Sequence, residues 1–367
     1  MSDFANQLIT WQKQFGRHDL PWQNTTDPYA IWVSEIMLQQ TQVVAVIGYY
    51  SKFMRRFPDI ATLANATQEE VLQHWSGLGY YSRARNLHKA AIGIMEAHSG
   101  QFPQDFDTIQ TLPGIGRSTA AAIASFAFNQ IQTILDGNVK RVLARHFLIE
   151  GWPSAPKVEN QLWALAEKLL PKKNMVAYTQ GLMDLGATLC TRSKPKCSAC
   201  PLLNSCEAYK QQRMHELPTP KPRKAIPEKY TTMLIFLHGD KVMLEKRPPT
   251  GVWGGLWSFP EIETNSNVEA IASIETLAET SFGMNTQADK RLPLLTHAFT
   301  HFKLHIQPQP LTVLQLDAKV CETGQIWLSI DDAMGAAIPT PVRKILQSLQ
   351  NQPLLMVKRL DASTYKN

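Results

Sequence analysis

Four cysteines, Cys190, Cys197, Cys200 and Cys206, form a C-x6-C-x2-C-x5-C run, and no other feature limits the fold of this chain as tightly. Thiolates bind soft metals, and four so close in sequence can wrap one tetrahedral zinc or one [4Fe–4S] cluster. Structural zinc sites built from four cysteines usually bring together two C-x2-C knuckles from separate segments. Here there is one C-x2-C, and the outer cysteines reach in over longer arcs, which favours the iron–sulfur cluster. Two disulfides are the competing reading. They require an oxidising compartment, and the chain opens MSDFANQLITWQKQF, without an apolar signal core. The expectation is a metal centre in a cytoplasmic protein.

The 367 residues are enough for two domains, each with its own core. Charged residues make up 19% and apolar residues 44%, and no apolar run approaches the ~20 residues of a membrane helix, so no membrane partner is expected. A net charge of +6 suits a polyanion without demanding one. Cys321, far from the other four, reads as a small buried hydrophobe.

Apolar spacing predicts helices through Ile60–Trp75, Ala84–Ala97, Thr119–Phe128, Val139–Phe147 and Gln161–Leu170, so residues 1–214 read as an all-helical domain. The proline-rich stretch 215–229 reads as an extended, semi-rigid linker. From 230 to 348 the pattern changes to short strands, at Thr232–Leu237, Lys241–Glu245, Leu256–Phe259, His301–Gln307 and Gln325–Leu328, with one helix near Val268–Thr280. That is a mixed α/β domain. Residues 349–367 read as a loose tail.

Three features of the helical part carry chemistry. Residues 112–120, LPGIGRSTA, form a glycine turn feeding a helix, where Gly114 and Gly116 leave backbone N–H groups open to a phosphate. Glu35 is the only charge in the run Tyr29–Leu38, so a helix there should half-bury its carboxyl, raise its pKa and suit it to general acid work. Asp136 opens DGNVKRVLA, where a helix N-terminus should hold it ionised. One carboxyl kept neutral and one kept anionic is the division of labour that glycosidic bond cleavage needs.

The nine-residue glycine turn resembles a helix-hairpin-helix DNA element. With Asp136 and the cysteine loop 190–206 it resembles the endonuclease III superfamily of DNA glycosylases. Within that superfamily, WVSEIMLQQTQV at 32–43, GLGYYSRARNL at 77–87 and LDGNV at 135–139 are similar to the MutY adenine DNA glycosylases. The resemblance implies removal of adenine mispaired with 8-oxoguanine or guanine in duplex DNA, after the base is flipped from the stack. It implies that Glu35 protonates adenine at N7. Asp136 would stabilise the positive sugar, electrostatically or through a transient bond, and Asn138 would help place water or sugar. Trp22, Leu38 and Gln180 would line the adenine pocket, with the Gln180 amide gripping the N6 and N7 edge. Gln40 and Tyr80 would fill the gap in the stack, and groups near Gln40, Thr41 and Leu78 would meet the 8-oxoguanine. Relatives with lyase activity carry a lysine where this chain has Ser118, so a monofunctional enzyme is expected. Arg192, Lys194 and Lys196 in the cysteine loop would contact phosphates. A monomer is the default for an enzyme clamped on a duplex, and the protein partners are open.

In the second domain, GVWGGLWSFPE at 251–261 resembles the entry to a Nudix fold, but the acidic helix that would bind magnesium is missing. In the MutY family this domain checks for the 8-oxo group, which implies a role for Phe299, Thr300 and His301. Alternation would also set His297, His301 and His305 on one strand face, but a metal site there lacks a nearby carboxylate.

Overall fold

The computed structural model describes residues 3–222, 225–263, 271–316 and 324–351. Cys321, residues 268–270 of the expected helix and almost all of the tail lie outside them. The chain divides into two compact units, one of residues 1–66 with 85–223, the other of 67–84 with 224–367.

The first unit is helical. Its central helix, Pro28–Leu38, starts where Asp27 accepts a bond from the Tyr29 N–H and Pro28 presets the first turn. Tyr29 to Ser34, Ile36 and Met37 are all buried, so this helix is enclosed rather than amphipathic. It packs beside Arg117–Phe128, where Ala120, Ala121, Ala122, Ile123 and Ala124 are fully buried. Small side chains let the helix axes approach closely. Phe4, Leu8, Val139, Leu143, Leu162, Tyr178 and Leu182 complete the core around them.

The run Ile60–Trp75 expected as one helix is two, Ile60–Asn65 and Gln68–Trp75. Thr67 breaks it because its hydroxyl caps the Glu70 N–H at 3.2 Å, which offers the backbone a better start than continuation. The linker residues before Arg223 are irregular, as expected, but not free. Leu217 is buried and its carbonyl accepts from Arg145, while Thr219 accepts from the Gly151 N–H.

The second unit holds a mixed sheet of β1 (Glu228–His238), β2 (Lys241–Lys246), β3 (Trp257–Ser258), β4 (Glu261–Glu263), β5 (Met284–Ala288), β6 (Leu295–Ala298), β7 (Lys303–Leu316) and β8 (Gln325–Ser329). The main order is β3-β2-β1-β7-β5, with β4 on β1, β6 on β7 and β8 on β2. β1 and β7 run parallel from Glu228 opposite Lys303 to Leu237 opposite Thr312. The helix Ile271–Phe282 covers one face through Ile274 and Ala278, against Leu234, Phe236 and Leu311. β7 continues well past the expected end at Gln307, through Pro308 and Pro310. Both prolines lack the N–H on the same strand side, yet their carbonyls still accept, from Leu292 and Asp289. The final helix, Thr340–Gln350, also runs slightly beyond the expected end of the domain at 348.

Candidate active site

Trp22, Glu35, Leu38 and Gln180 line one cavity of about 490 Å³ in the helical unit, together with Arg17 and His18. Glu35 reaches it from the enclosed helix Pro28–Leu38 and Gln180 from the helix Met175–Asp184. Burial pushes the Glu35 carboxyl up to about 8, and the charge of Asp136 adds to that rise. A carboxyl in this range carries its proton at neutral pH and can deliver it.

Asp136 caps the helix Gly137–His146. Its Oδ1 accepts from the Val139 N–H at 2.8 Å and its Oδ2 from the Asn138 amide at 3.4 Å. The helix N-terminus is not the only influence on its charge. Burial pushes Asp136 above the ordinary aspartate range, opposed by those N–H groups and by the Arg141 guanidinium. The two acids are therefore separated by degree: Glu35 has no described hydrogen-bond donor to hold it ionised, whereas Asp136 has several partners that favour its anion.

Asn138 is pinned. Its Oδ1 accepts from Arg141 Nη2 at 2.8 Å, and the same nitrogen donates to the Gly186 carbonyl at 2.7 Å. Gly186 sits in a π-helical turn, Leu185–Leu189, and a Cβ added there would lie 2.6 Å from the Asn138 Cβ. Only glycine permits that approach. Arg141 Nε then donates to the Cys190 carbonyl at 2.7 Å. Arg145, nearly wholly buried, donates to the carbonyls of Thr191, Arg192 and Leu217 and lies 3.4 Å from the Cys190 Sγ. One helix thus carries Asp136 and Asn138 at its start and grips the cysteine loop further along.

Cys190, Cys197, Cys200 and Cys206 all border one hollow of about 30 Å³ beside Arg145. All four are unpaired thiols, and burial pushes Cys200 up to about 12. Among the described residues no three metal-binding side chains converge on a single ion. Four free cysteine sulfurs bordering one hollow are a donor set that could hold a soft metal or an iron–sulfur cluster. Arg192, Lys194 and Lys196 are exposed on the same loop.

The turn after the central helix holds Gln40 exposed at a positive φ of 56°, with the Thr41 N–H bonded to the Leu38 carbonyl. The neighbouring Gln39 amide reaches the carbonyl of Gly114, whose φ is +81°, and the Thr119 hydroxyl. Gly116 caps the helix Arg117–Phe128. Ser118 accepts from the N–H of Leu135, next to Asp136, at 2.9 Å.

In the second unit, Leu78 is buried and Tyr80 exposed, with φ of 51° and its ring over the Arg83 guanidinium. Phe299, Thr300 and His301 form the bend between β6 and β7. The Phe299 N–H bonds the Phe302 carbonyl, and its ring stacks on Phe302 at 4.5 Å. Trp253, buried, touches the rings of His297 and Phe299 at 5.8 and 5.7 Å. The three histidines do not share a strand. His297 is on β6, His301 in the bend, and His305 on β7 stacked on Tyr230, with Glu228 3.3 Å from its ring.

Sequence reasoning missed Arg17, Arg141, Arg145 and Asp184. Asp184 carried the same signal as Glu35, a lone charge in the apolar run Gly181–Leu189.

Residues 33–168 match the family model described as HhH-GPD superfamily base excision DNA repair protein, and residues 231–348 match the NUDIX domain. A helix-hairpin-helix DNA repair unit joined to a Nudix-like sheet is the class that the fold defines. An adenine DNA glycosylase of Buchnera aphidicola subsp. Acyrthosiphon pisum (strain APS) is 37% identical, covering 95% of this chain and 97% of that relative. That of Homo sapiens is 34% identical, covering 95% of this chain and 74% of that relative. A solved thermostable thymine-DNA glycosylase superposes with a TM-score of 0.51 at 30% identity, covering 57% of this chain and 95% of that one. The chain belongs to the adenine DNA glycosylases, DNA N-glycosylases of base excision repair. No described helix is long and apolar enough to cross a membrane.

Proposed function

We propose that the enzyme hydrolyses the N-glycosidic bond of adenine paired with 8-oxoguanine or guanine, with Glu35 as general acid and Asp136 as the stabiliser of the sugar cation. The observation that carries this is the Glu35 carboxyl, raised to about 8, on the cavity it shares with Trp22 and Gln180. Protonation of N7 lets the base leave as neutral adenine when the bond to C1′ breaks. Positive charge then develops on the sugar beside Asp136. Water adds its oxygen to C1′ and gives its proton to the Glu35 carboxylate, which restores the acid, while Asn138 beside Asp136 orients the water. A positioned acid contributes roughly 10²–10⁴ in rate. Leu38 and Trp22 supply the apolar walls for a flat base.

Ser118 has no amine to attack C1′, and its hydroxyl is engaged by Leu135, which supports a monofunctional enzyme. Gln40 and Tyr80 are read as the residues that fill the emptied stack, Thr41 and Leu78 as contacts of the opposite base. Gly114, Gly116, Arg192, Lys194 and Lys196 are read as phosphate contacts. In this reading residues 1–214 do the chemistry, 215–229 link, and 230–348 inspect the opposite base through Phe299, Thr300 and His301. The four cysteines would hold a [4Fe–4S] cluster that organises the loop, in an enzyme acting as a monomer.

The test is purified protein against adenine opposite 8-oxoguanine, adenine opposite cytosine, and thymine glycol opposite adenine, each with and without alkali. Alkali-dependent cleavage at adenine in the first duplex alone is the expected result. Alkali-independent nicking at thymine glycol would overturn it.

A further inference from the structure

Gln180 faces the cavity, and its amide is fixed from behind. Its Nε2 donates to Asp184 Oδ1 at 2.8 Å, one helical turn further along. The Asp184 side chain is wholly buried and paired with Arg17, whose Nε and Nη2 lie 2.7 and 2.6 Å from Oδ1, while the Arg17 backbone N–H donates to Oδ2 at 2.9 Å. A carboxylate in such a pair can only accept. Turning the Gln180 amide over would set its oxygen against that carboxylate, so one orientation is compatible with the surroundings. Oε1 is left as the amide's acceptor on a residue that lines the cavity.

We propose that Asp184 and Arg17 are positioning residues that set the hydrogen-bond polarity of the base pocket: they hold Gln180 as an acceptor, so a base with an exocyclic amine at this position is favoured and one with a carbonyl there is rejected. This rests on the reading of the cavity as an adenine pocket. The N6 amine of adenine satisfies Oε1. Hypoxanthine, with oxygen at that position, sets two acceptors face to face, and unsubstituted purine presents neither. One Nε2 hydrogen is committed to Asp184, which leaves the second for the edge of the base.

The test is single-turnover base release from duplexes carrying adenine, purine or hypoxanthine opposite 8-oxoguanine, by the wild type and by Asp184→Asn. The wild type is expected to release hypoxanthine roughly ten- to a hundredfold more slowly than adenine, and more slowly than purine. Asparagine can donate as well as accept, so the Gln180 amide regains freedom to turn, and the adenine-to-hypoxanthine ratio should fall about tenfold. A merely structural role would lower both rates together and keep the ratio, and that result overturns the proposal. If Asp184→Asn does not fold, the wild type decides. Equal release of adenine and hypoxanthine overturns the proposal, while slow hypoxanthine beside tolerated purine supports it. A wild type that releases none of the three removes the adenine-pocket reading along with the proposal. Adenine release with an unselective ratio removes the proposal alone.

Discussion

The Nη2 of Arg141 lies 2.8 Å from the Oδ1 of Asn138, while the Nε of the same guanidinium lies 2.7 Å from the carbonyl of Cys190. A single planar side chain therefore connects the neighbour of Asp136 with the first cysteine of the loop. The fork of an arginine can hold both at once, and the point charge of a lysine cannot.

Arg141→Lys is expected to keep the positive charge and lose the bridge. Base release should fall about 10- to 100-fold, the usual effect of removing an outer partner of a site residue. The check is single-turnover release with thermal melting alongside. Full activity in Arg141→Lys would mean that the bridge is not needed to place Asn138.

Glu35 is pushed up to about 8 from an ordinary glutamate value of 4.5. A general acid with that value predicts a rate that falls about tenfold per pH unit above pH 8. The same burial costs stability. The folded chain keeps a proton that the unfolded chain releases, so stability declines as pH rises from 4.5 to about 8 and levels off above. Within that window each pH unit removes about 1.4 kcal/mol. Glu35→Gln should thus melt higher than the wild type at pH 9, bind duplex DNA and release no adenine. A pH–rate profile and melting curves across this window test both halves.

Gly186→Ala would place its Cβ 2.6 Å from the Asn138 Cβ and 3.1 Å from its Cα. Neither atom can yield cheaply, so a loss of roughly 1–3 kcal/mol in stability is expected, with a matching drop in base release. Gly93 is the control. It lies within the helix Ser82–His98 with nothing within 4 Å of an added Cβ, and Gly93→Ala should gain about 0.5–1 kcal/mol. Denaturant midpoints of the two variants should move in opposite directions.

Trp253 braces His297 and Phe299 from a buried position. If the bend at 299–301 inspects the opposite base, Trp253→Leu should lower the preference for adenine opposite 8-oxoguanine over adenine opposite guanine by about tenfold, on the scale of ~1.4 kcal/mol. Release opposite guanine should change little. An unchanged preference would remove Trp253 from the device.

Sequence pattern makes Glu35 legible because a lone charge among apolar residues on a helix must be at least half enclosed. Asp184 obeys the same rule, but its meaning depends on Arg17, 167 residues away, and spacing cannot supply that partner. The ionisation of Asp136 escapes the sequence for a related reason. A helix N-terminus is a local feature, whereas the burial that opposes it is made by other elements. In the sheet, Pro308 and Pro310 argue against a strand because their missing N–H groups are visible in sequence. The donors of Leu292 and Asp289 that use their carbonyls are not. The break at Thr67 is readable, since a Thr followed three residues later by Glu marks a helix start.

The parallel pairing of β1 with β7 joins Glu228 to Lys303, partners 75 residues apart in the chain. During synthesis, β1 leaves the ribosome long before β7 exists. At ~5–20 residues per second, several seconds pass in which the edge of β1 that β7 will take, along seven consecutive buried positions from Thr231 to Leu237, has no strand beside it. The nascent second unit is therefore most exposed to misassociation in this interval, and substitutions that make 231–237 stickier will lower the yield of folded enzyme without altering the finished site.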